Sequence, residues 1–396
     1  MENNCGIWTG QLIAGYYIRK MSDVITAQTN SGQRTWKAMS SNTTGDKIAA
    51  VVNNGYIYTS NDYGTSWKEL TNSGIKAWTS ICINSTGQIL AATVNTGFIY
   101  TSNDYGETWI PRVMDAVRTW LSICINSTGD KLAACGYDIA VIYLSSNGGE
   151  TWTTTAALED LSIFDKHGYS GICCDPTGTY LATVGVIRRA SNVQYSGRLR
   201  VSNDSGSTWI RWNIAASTSR LYSICCNNAF NKIIFSVNAL IYTLDYDKTT
   251  NALSNQKIIT TGSTIINGLC SNNSGNILGL VDNNNIYVST DYGVTWISRN
   301  VTKSWVTICS ISAHNKLLAV LTSDYIYKIS FYYISNGRIL TDILQSGTAT
   351  NASNFKINGT DFNTLFKAYS SGYKAIFNQN FFADSNNTIM TTKAIG

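Results

Sequence analysis

"AWTSICINSTGQILAATVNTGFIYTSNDYG", residues 77–106, lies 42 positions after "TWKAMSSNTTGDKIAAVVNNGYIYTSNDYG", residues 35–64, with no gap between them. "TWLSICINSTGDKLAACGYDIAVIYLSSNGG", residues 119–149, follows a further 42 on, with one inserted residue. Carried along the chain, this register places an aromatic or aliphatic residue at Trp36, Trp78, Trp120, Tyr169, Leu221, Ile266 and Trp305. The spacings are 42, 42, 49, 52, 45 and 39. Self-similarity at such a period marks an array of equal supersecondary units. Within one unit, "SICIN" alternates, "STGD" is a turn pattern, and "KLAAC", "VIYLS" and "ETWTTT" read as three more strands.

Four short strands per unit, repeated around a ring, predict an all-β fold, a seven-bladed β-propeller. After its third strand the seventh unit loses the pattern, and its missing strand is expected at the other end of the chain. "DVITAQTNSG", residues 23–32, aligns with "TSWKELTNSG", residues 65–74, again at an offset of 42. Residues 23–28 are therefore expected to complete the last blade, closing the ring and removing a free sheet edge. The domain reading is an N-terminal arm over 1–21, a propeller over 22–330 and a C-terminal docking or assembly module over 331–396.

Each of the first six units carries a turn between its third and fourth strands, as in Ser102-x-Asp104-x-Gly106-x-Thr108-Trp109. The aspartate position holds Asp62, Asp104, Asn147, Asp204, Asp245 and Asp291. A carboxylate there can accept turn N–H groups, and the glycine can take a positive φ. Six copies around a ring cannot all be catalytic, so the turn is expected to be a fastener, and an asparagine oxygen serves the same purpose. These motifs resemble the Asp-box (BNR-repeat) propellers over residues 23–330, a family that includes sialidases, photosystem II assembly factors and sortilin-like receptors. A sialidase resemblance would imply an arginine triad, a Tyr–Glu pair, an acid/base aspartate and an Arg-Ile-Pro motif. No Arg-Ile-Pro is present, and Glu2, Glu69, Glu107, Glu150 and Glu159 are the only glutamates, with Glu159 the sole plausible remnant of such a pair. The chain is not expected to be an enzyme.

Composition agrees with this reading. Charged residues are 13% of the chain against about 25% in typical domains, and hydrophobic residues are 44%. The net charge of +5, without a basic cluster, points away from nucleic acid. No apolar run is long enough to insert in a membrane, and the start lacks signal-peptide character. Cys82, Cys124, Cys173, Cys225, Cys270 and Cys309 share one position after the aromatic slot. Equivalent positions on neighbouring units are too far apart for the narrow span of a disulfide, so reduced core thiols are expected. Neither metal nor cofactor is anticipated. The aromatic slot itself is expected to be core.

Two insertions break the regular spacing. Trp152 to Tyr169 spans 17 residues where counterparts span 11, and Gly178 to Ser202 spans 24 where counterparts span 15 or 16. Both should fall on the face opposite the Asp-box turns and touch. They gather Glu159, Asp160, Asp165, His167, Arg188, Arg189, Tyr195 and Arg198 as a candidate binding site, since loops on rigid scaffolds commonly carry function. Glycans are the possible ligand of this face.

The tail differs. "FKINGTDFNTLFKAYSSGYKA", residues 355–375, resembles short modules of structural proteins from large algal and amoebal DNA viruses. That resemblance implies a virion or assembly component found in the particle or the host cytoplasm, with other virion proteins as partners of the tail. Thr360 is expected to cap a short helix carrying Phe362, Leu365 and Phe366.

Overall fold

The computed structural model describes residues 24–330 apart from 138–140, 156–163, 190–194, 214–220, 239, 261–265, 300–302, 312–315 and 322, with short strand segments outside that span. Two compact units emerge: Ile25–Ile329, and Met1–Val24 with Ser330–Gly396. Among the described residues no helix is long and apolar enough to cross a membrane.

The larger unit is a run of four-stranded antiparallel meanders. The first is Trp36–Ser41, Ile48–Gly55, Ile57–Ser60 and Lys68–Leu70. It merges with the second, Lys76–Ile83 through Ile110–Arg112, because Asn53 pairs with Ala77 and Gly55 with Lys76. The third and fourth merge through Tyr137 and Gly168, also giving eight strands. Three separate four-stranded sheets follow, and the last takes Trp305–Ile311, Lys316–Leu321, Ile326–Ser330 and, at its edge, Val24–Gln28.

The sequence match behind that last strand is also a geometric one. Thr29–Ser31 and Thr71–Ser73 are both single 3₁₀ turns ended by glycines at φ 69 and φ 70. Ser31 Oγ accepts the Ile326 N–H at 2.9 Å, and Ser73 Oγ accepts the Ile57 N–H at 3.0 Å. One hydroxyl thus satisfies the first N–H of a third strand in each case, whether its partner lies 16 or 295 residues away.

Every inner strand carries a bulge directly after the aromatic slot, for example between Trp36 and Ala38, Trp120 and Ser122, and Tyr169 and Gly171. An extra residue reverses the strand's alternation. Trp120 and Ile123 consequently pack on one side with Cys82, Ala91 and Ile99, while Cys124 packs on the other with Tyr169, Ile172 and Leu181. The core is therefore a series of interfaces between neighbouring sheets. The last joins the first: Cys309, Ile311, Leu318, Val320 and Ile326 pack with Trp36, Ile48 and Ala50.

The Asn-rich composition has a local cause. Asn126 Oδ1 accepts the N–H groups of Gly129 and Lys131 at 2.9 and 3.0 Å, tying the turn between first and second strands, and Asn84 does the same for Ile89 at 3.0 Å. Both asparagines are buried.

In the smaller unit the expected helix is not formed at its start. Lys356–Ile357 pairs with Thr360–Asp361 as a hairpin, Ile357 opposite Thr360. Asn358-Gly359, the sequence between them, is a strong two-residue hairpin connection, and it overrides the capping tendency of Thr360. Phe362, Leu365 and Phe366 lie outside the described residues.

Candidate functional site

The S-x-D-x-G-x-[ST]-W turns are self-contained. Asp104 Oδ1 accepts Ser102 Oγ–H at 2.8 Å and Thr108 N–H at 2.9 Å, and its Oδ2 accepts Thr108 Oγ1–H at 2.6 Å. Asp62, Asp204 and Asp291 repeat this set with Ser66, Thr208 and Thr295. Burial acts to raise each of these carboxyls, but the side-chain and backbone hydrogen bonds more than reverse it, so all four titrate below the usual range. Asn147 uses Oδ1 as acceptor for Thr151 N–H and turns its amide towards Thr151 Oγ1, each at 2.9 Å. Asp104 thus uses three of the roughly four acceptor sites of its carboxylate inside the turn, as a fastener would.

The fifth copy departs from the expectation. Asp245 is not a turn fastener: it sits in the ladder opposite Ser254 and takes hydrogen bonds from Lys232 Nζ and from Asn255 Nδ2. The strands Leu240–Asp247 and Ala252–Thr260 run past the usual turn point. Asp247, in the glycine position, holds the tip through Thr249 N–H at 2.8 Å and Thr250 Oγ1–H at 2.7 Å. Without the glycine and the tryptophan, the backbone continues as a two-stranded ribbon with one register shift between Thr243 and Asp245.

A second repeated device was not foreseen. Trp36, Trp78, Trp120 and Trp305 are fully buried. Each meets a tyrosine edge-on, namely Tyr58, Tyr100, Tyr143 and Tyr327, at ring separations of 5.1, 5.3, 4.9 and 5.4 Å. A cation two residues before each tryptophan lies over the tyrosine: Arg34, Lys76, Arg118 and Lys303 at 4.4, 4.9, 5.0 and 4.4 Å. The signal is legible as [KR]-x-W in all four units.

One of these stacks contains the only Tyr–Glu contact we find among the described glutamates. Tyr58 donates to Glu69, its cross-strand neighbour, with Arg34 3.8 Å from the carboxylate. Burial, followed by the Glu69 hydrogen bond, raises the Tyr58 phenol, and Arg34 lies over the same ring at 4.4 Å, so the pair is part of a stack repeated in four units. Glu159, expected as the remnant of a catalytic Tyr–Glu pair, lies outside the described residues.

Where they are described, the insertions lengthen strands. Phe164–Cys174, Leu181–Arg189 and Tyr195–Ser202 have 11, 9 and 8 residues. In their register Phe164 faces Arg189, Lys166 faces Arg188, His167 faces Ile187, Arg188 faces Tyr195 and Gly185 faces Arg198. Backbone pairing thus brings Asp165, His167, Arg188, Arg189, Tyr195 and Arg198 into one three-stranded ribbon at the end away from the S-x-D-x-G turns. Glu159 and Asp160 lie outside the described residues. Arg198 is half-buried, and its Nη1 donates to Gly197 O at 3.3 Å.

Sequence reasoning missed the loop two units earlier on the same face. Met114 and Val117 are 62% and 59% exposed. Between them Asp115 takes a two-point ion pair from Arg118 at 2.9 and 2.6 Å, and Arg118 bridges to Gly97 through N–H and C=O at 3.1 and 3.0 Å. Val113 has φ +53, a costly conformation for a β-branched side chain and one that persists only when its surroundings enforce it. Ile75 and Tyr137, at the same end of neighbouring units, are exposed too. Among the described residues no three His, Cys, Asp or Glu side chains stand close enough to hold a metal.

No family model matches the chain, and no curated protein matches its sequence. Solved structures match its shape. The β-propeller domain of Cps50 (Swd1) from Myceliophteria thermophila has a TM-score of 0.60 at 12% identity, over 77% of this chain and 99% of that one. YCF48 from Cyanidioschyzon merolae has a TM-score of 0.58 at 10% identity, over 77% and 98%. A YCF48 bound to a D1 peptide matches with a TM-score of 0.54 at 14% identity, over 78% and 97%. The GH74 enzyme of Niastella koreensis has a TM-score of 0.57 at 13% identity, over 78% of this chain and 53% of that one. The fold is an all-β propeller.

Proposed function

We propose that the chain is a non-enzymatic scaffold that binds protein through the face away from the S-x-D-x-G turns, as a structural or assembly component of a large DNA virus particle. The binding face rests on the loop 113–118, where a strained Val113 and the Asp115–Arg118 ion pair hold Met114 and Val117 out in water. Exposed apolar side chains on a pre-set loop suit a protein partner. That a YCF48 propeller is bound to a peptide gives this use a precedent on the fold. The non-enzymatic part rests on the glutamates: Glu69 is bound into a stack, and Glu107 pairs with Lys68.

In this reading the four-stranded groups are seven blades of the Asp-box type, and Val24–Gln28 closes the ring. The tail, on the resemblance of residues 355–375, docks to other virion proteins. The protein works in the particle or the host cytoplasm with its thiols reduced.

The test is selection of a displayed peptide library on the purified chain beside the double variant Met114→Glu/Val117→Glu. Peptides enriched on the wild type and lost on the variant are the expected result, since surface changes of this kind leave stability within about 0.5 kcal/mol. Equal recovery on both would remove the face. A second reading, glycan attachment, is favoured by the cross-strand pair Arg188 and Tyr195. Glycan-array binding lost in Arg188→Ala/Arg189→Ala would put it first.

A further inference from the structure

Adjacent cysteines on a strand point to opposite faces, and in this fold the opposite faces belong to different sheet interfaces. Cys174 turns back towards the third unit, where it shares one core cluster with Cys124, Leu144 and Leu181. Its Sγ–H donates to Ile125 O at 3.3 Å. The strands carrying the two thiols are fixed side by side, with Ile172 N–H on Ser122 Oγ at 3.2 Å. Equivalent positions of neighbouring units do not meet, but a slot cysteine and the residue after the next slot do.

These two thiols also line an opening. A cavity of about 210 Å³ between the third and fourth units has Cys124 and Cys174 among its lining residues, with Leu181 and Leu144, and Lys131 and Ser205. Its origin is legible: Ser205 occupies the turn position that Tyr63, Tyr105 and Tyr292 hold elsewhere. In the second unit the ring of Tyr105 covers the corresponding lysine, Lys47, at 4.5 Å. Here Lys131 Nζ donates to the Ser205 hydroxyl at 3.1 Å, and the space a ring would fill stays open.

We propose that Cys124 and Cys174 are a dithiol site that small-molecule disulfides oxidise to a cross-link between the third and fourth units. The Cys174 thiol loses its proton to solvent, and the thiolate attacks one sulfur of the small disulfide, releasing one small thiolate. Cys124 then gives up its proton, its thiolate attacks Cys174 Sγ of the mixed disulfide, and the second small thiolate leaves; the two released thiolates take up the two protons. Two protein thiols and one disulfide become one protein disulfide and two small thiols. The product is uncharged and suits its apolar walls, whereas a bound thiolate–metal ion would leave charge among Leu144 and Leu181. Hydrogen bonding between the two sulfurs, ahead of burial, holds the Cys174 thiol well above its ordinary value, so exchange is slow at neutral pH and quickens with alkalinity.

The experiment is peptide mapping by mass spectrometry of the full chain after treatment with oxidised glutathione from pH 7 to 9. One linked peptide pair, Cys124 with Cys174, is expected, forming roughly tenfold faster per pH unit. Cys124→Ser should stop at a glutathione adduct on Cys174, and Cys226→Ser should leave the cross-link unchanged. An unmodified chain, or Cys173 linked to Cys226 at the same rate, would overturn the proposal. The mapping needs only the wild-type protein, so a variant that fails to fold does not shield it.

Discussion

Replacing Asp104 tests whether the repeated turn is a fastener. Its carboxylate accepts three hydrogen bonds, two from Thr108 and one from Ser102. In Asp104→Ala, water can reach the half-exposed turn, so the full penalty of an orphaned donor does not apply. The loss should resemble removal of a helix cap, about 1.5–2 kcal/mol. For the unit Ile25–Ile329 that lowers Tm by about 2–3 °C. Asp104→Asn should cost far less, about 0.5 kcal/mol, because Asn147 already shows an amide filling the same role with Thr151. Asn147→Asp should accordingly raise stability slightly. The pH dependence fixes the sign. The folded carboxyl titrates below the ordinary range, despite burial acting to raise it. Its stabilisation is complete above the unfolded value of about 3.9 and is lost as pH falls through the folded value. The gap between wild type and Asp104→Ala should therefore narrow in acid. Thermal melts followed by near-ultraviolet circular dichroism, from pH 7 down to 3, measure all of this. Asp104→Asn as damaging as Asp104→Ala, or a gap that does not shrink, would refute the reasoning.

Three further outcomes follow from the packing. Trp120→Ala empties a fully buried site and removes the ring contact with Tyr143, so a loss of about 3–5 kcal/mol is expected in denaturant unfolding. Gly106→Ala should cost about 1–3 kcal/mol, because Gly106 sits at φ +89 and a methyl there would lie 2.6 Å from Leu70 Cδ1. Asp245→Ala should change stability by under about 1 kcal/mol, since its lysine partner is part-exposed and the turn is held by Asp247 instead. An effect like that of Asp104→Ala would return it to the fasteners.

Much of the fold was open to reading because one register repeats with its chemistry intact. The Thr-Asn-Ser-Gly segment shows this well: the serine that bonds Ile57 in the first unit bonds Ile326 in the last. What escaped reading came from places where strands break period or pair at a distance. The bulge after each aromatic slot flips alternation, so the face of Cys124 could not be inferred from that of Trp120. Asp245 was misplaced because counting cannot reveal that a missing glycine lets a strand run on. The inserted lengths did signal where the strands Phe164–Cys174, Leu181–Arg189 and Tyr195–Ser202 run long. Met114 and Val117 gave no sequence signal, because an exposed apolar residue in a turn looks like any other until its neighbours pin it.

The edge strand Val24–Gln28 has a consequence in time. It is made well before its partner Ile326–Ser330, which comes some 300 residues later. At about 5–20 residues per second, the early segment waits roughly 15–60 s for its mate. Bringing ends that far apart together costs about 1.7 kcal/mol more than closing one 42-residue repeat. Local meanders can form as they emerge, while this one pairing depends on nearly the whole array. Sheet assembly in this protein therefore has a natural last event, and a ribosome that stalls short of Ser330 leaves a nascent chain with two unpaired strand edges exposed to its neighbours.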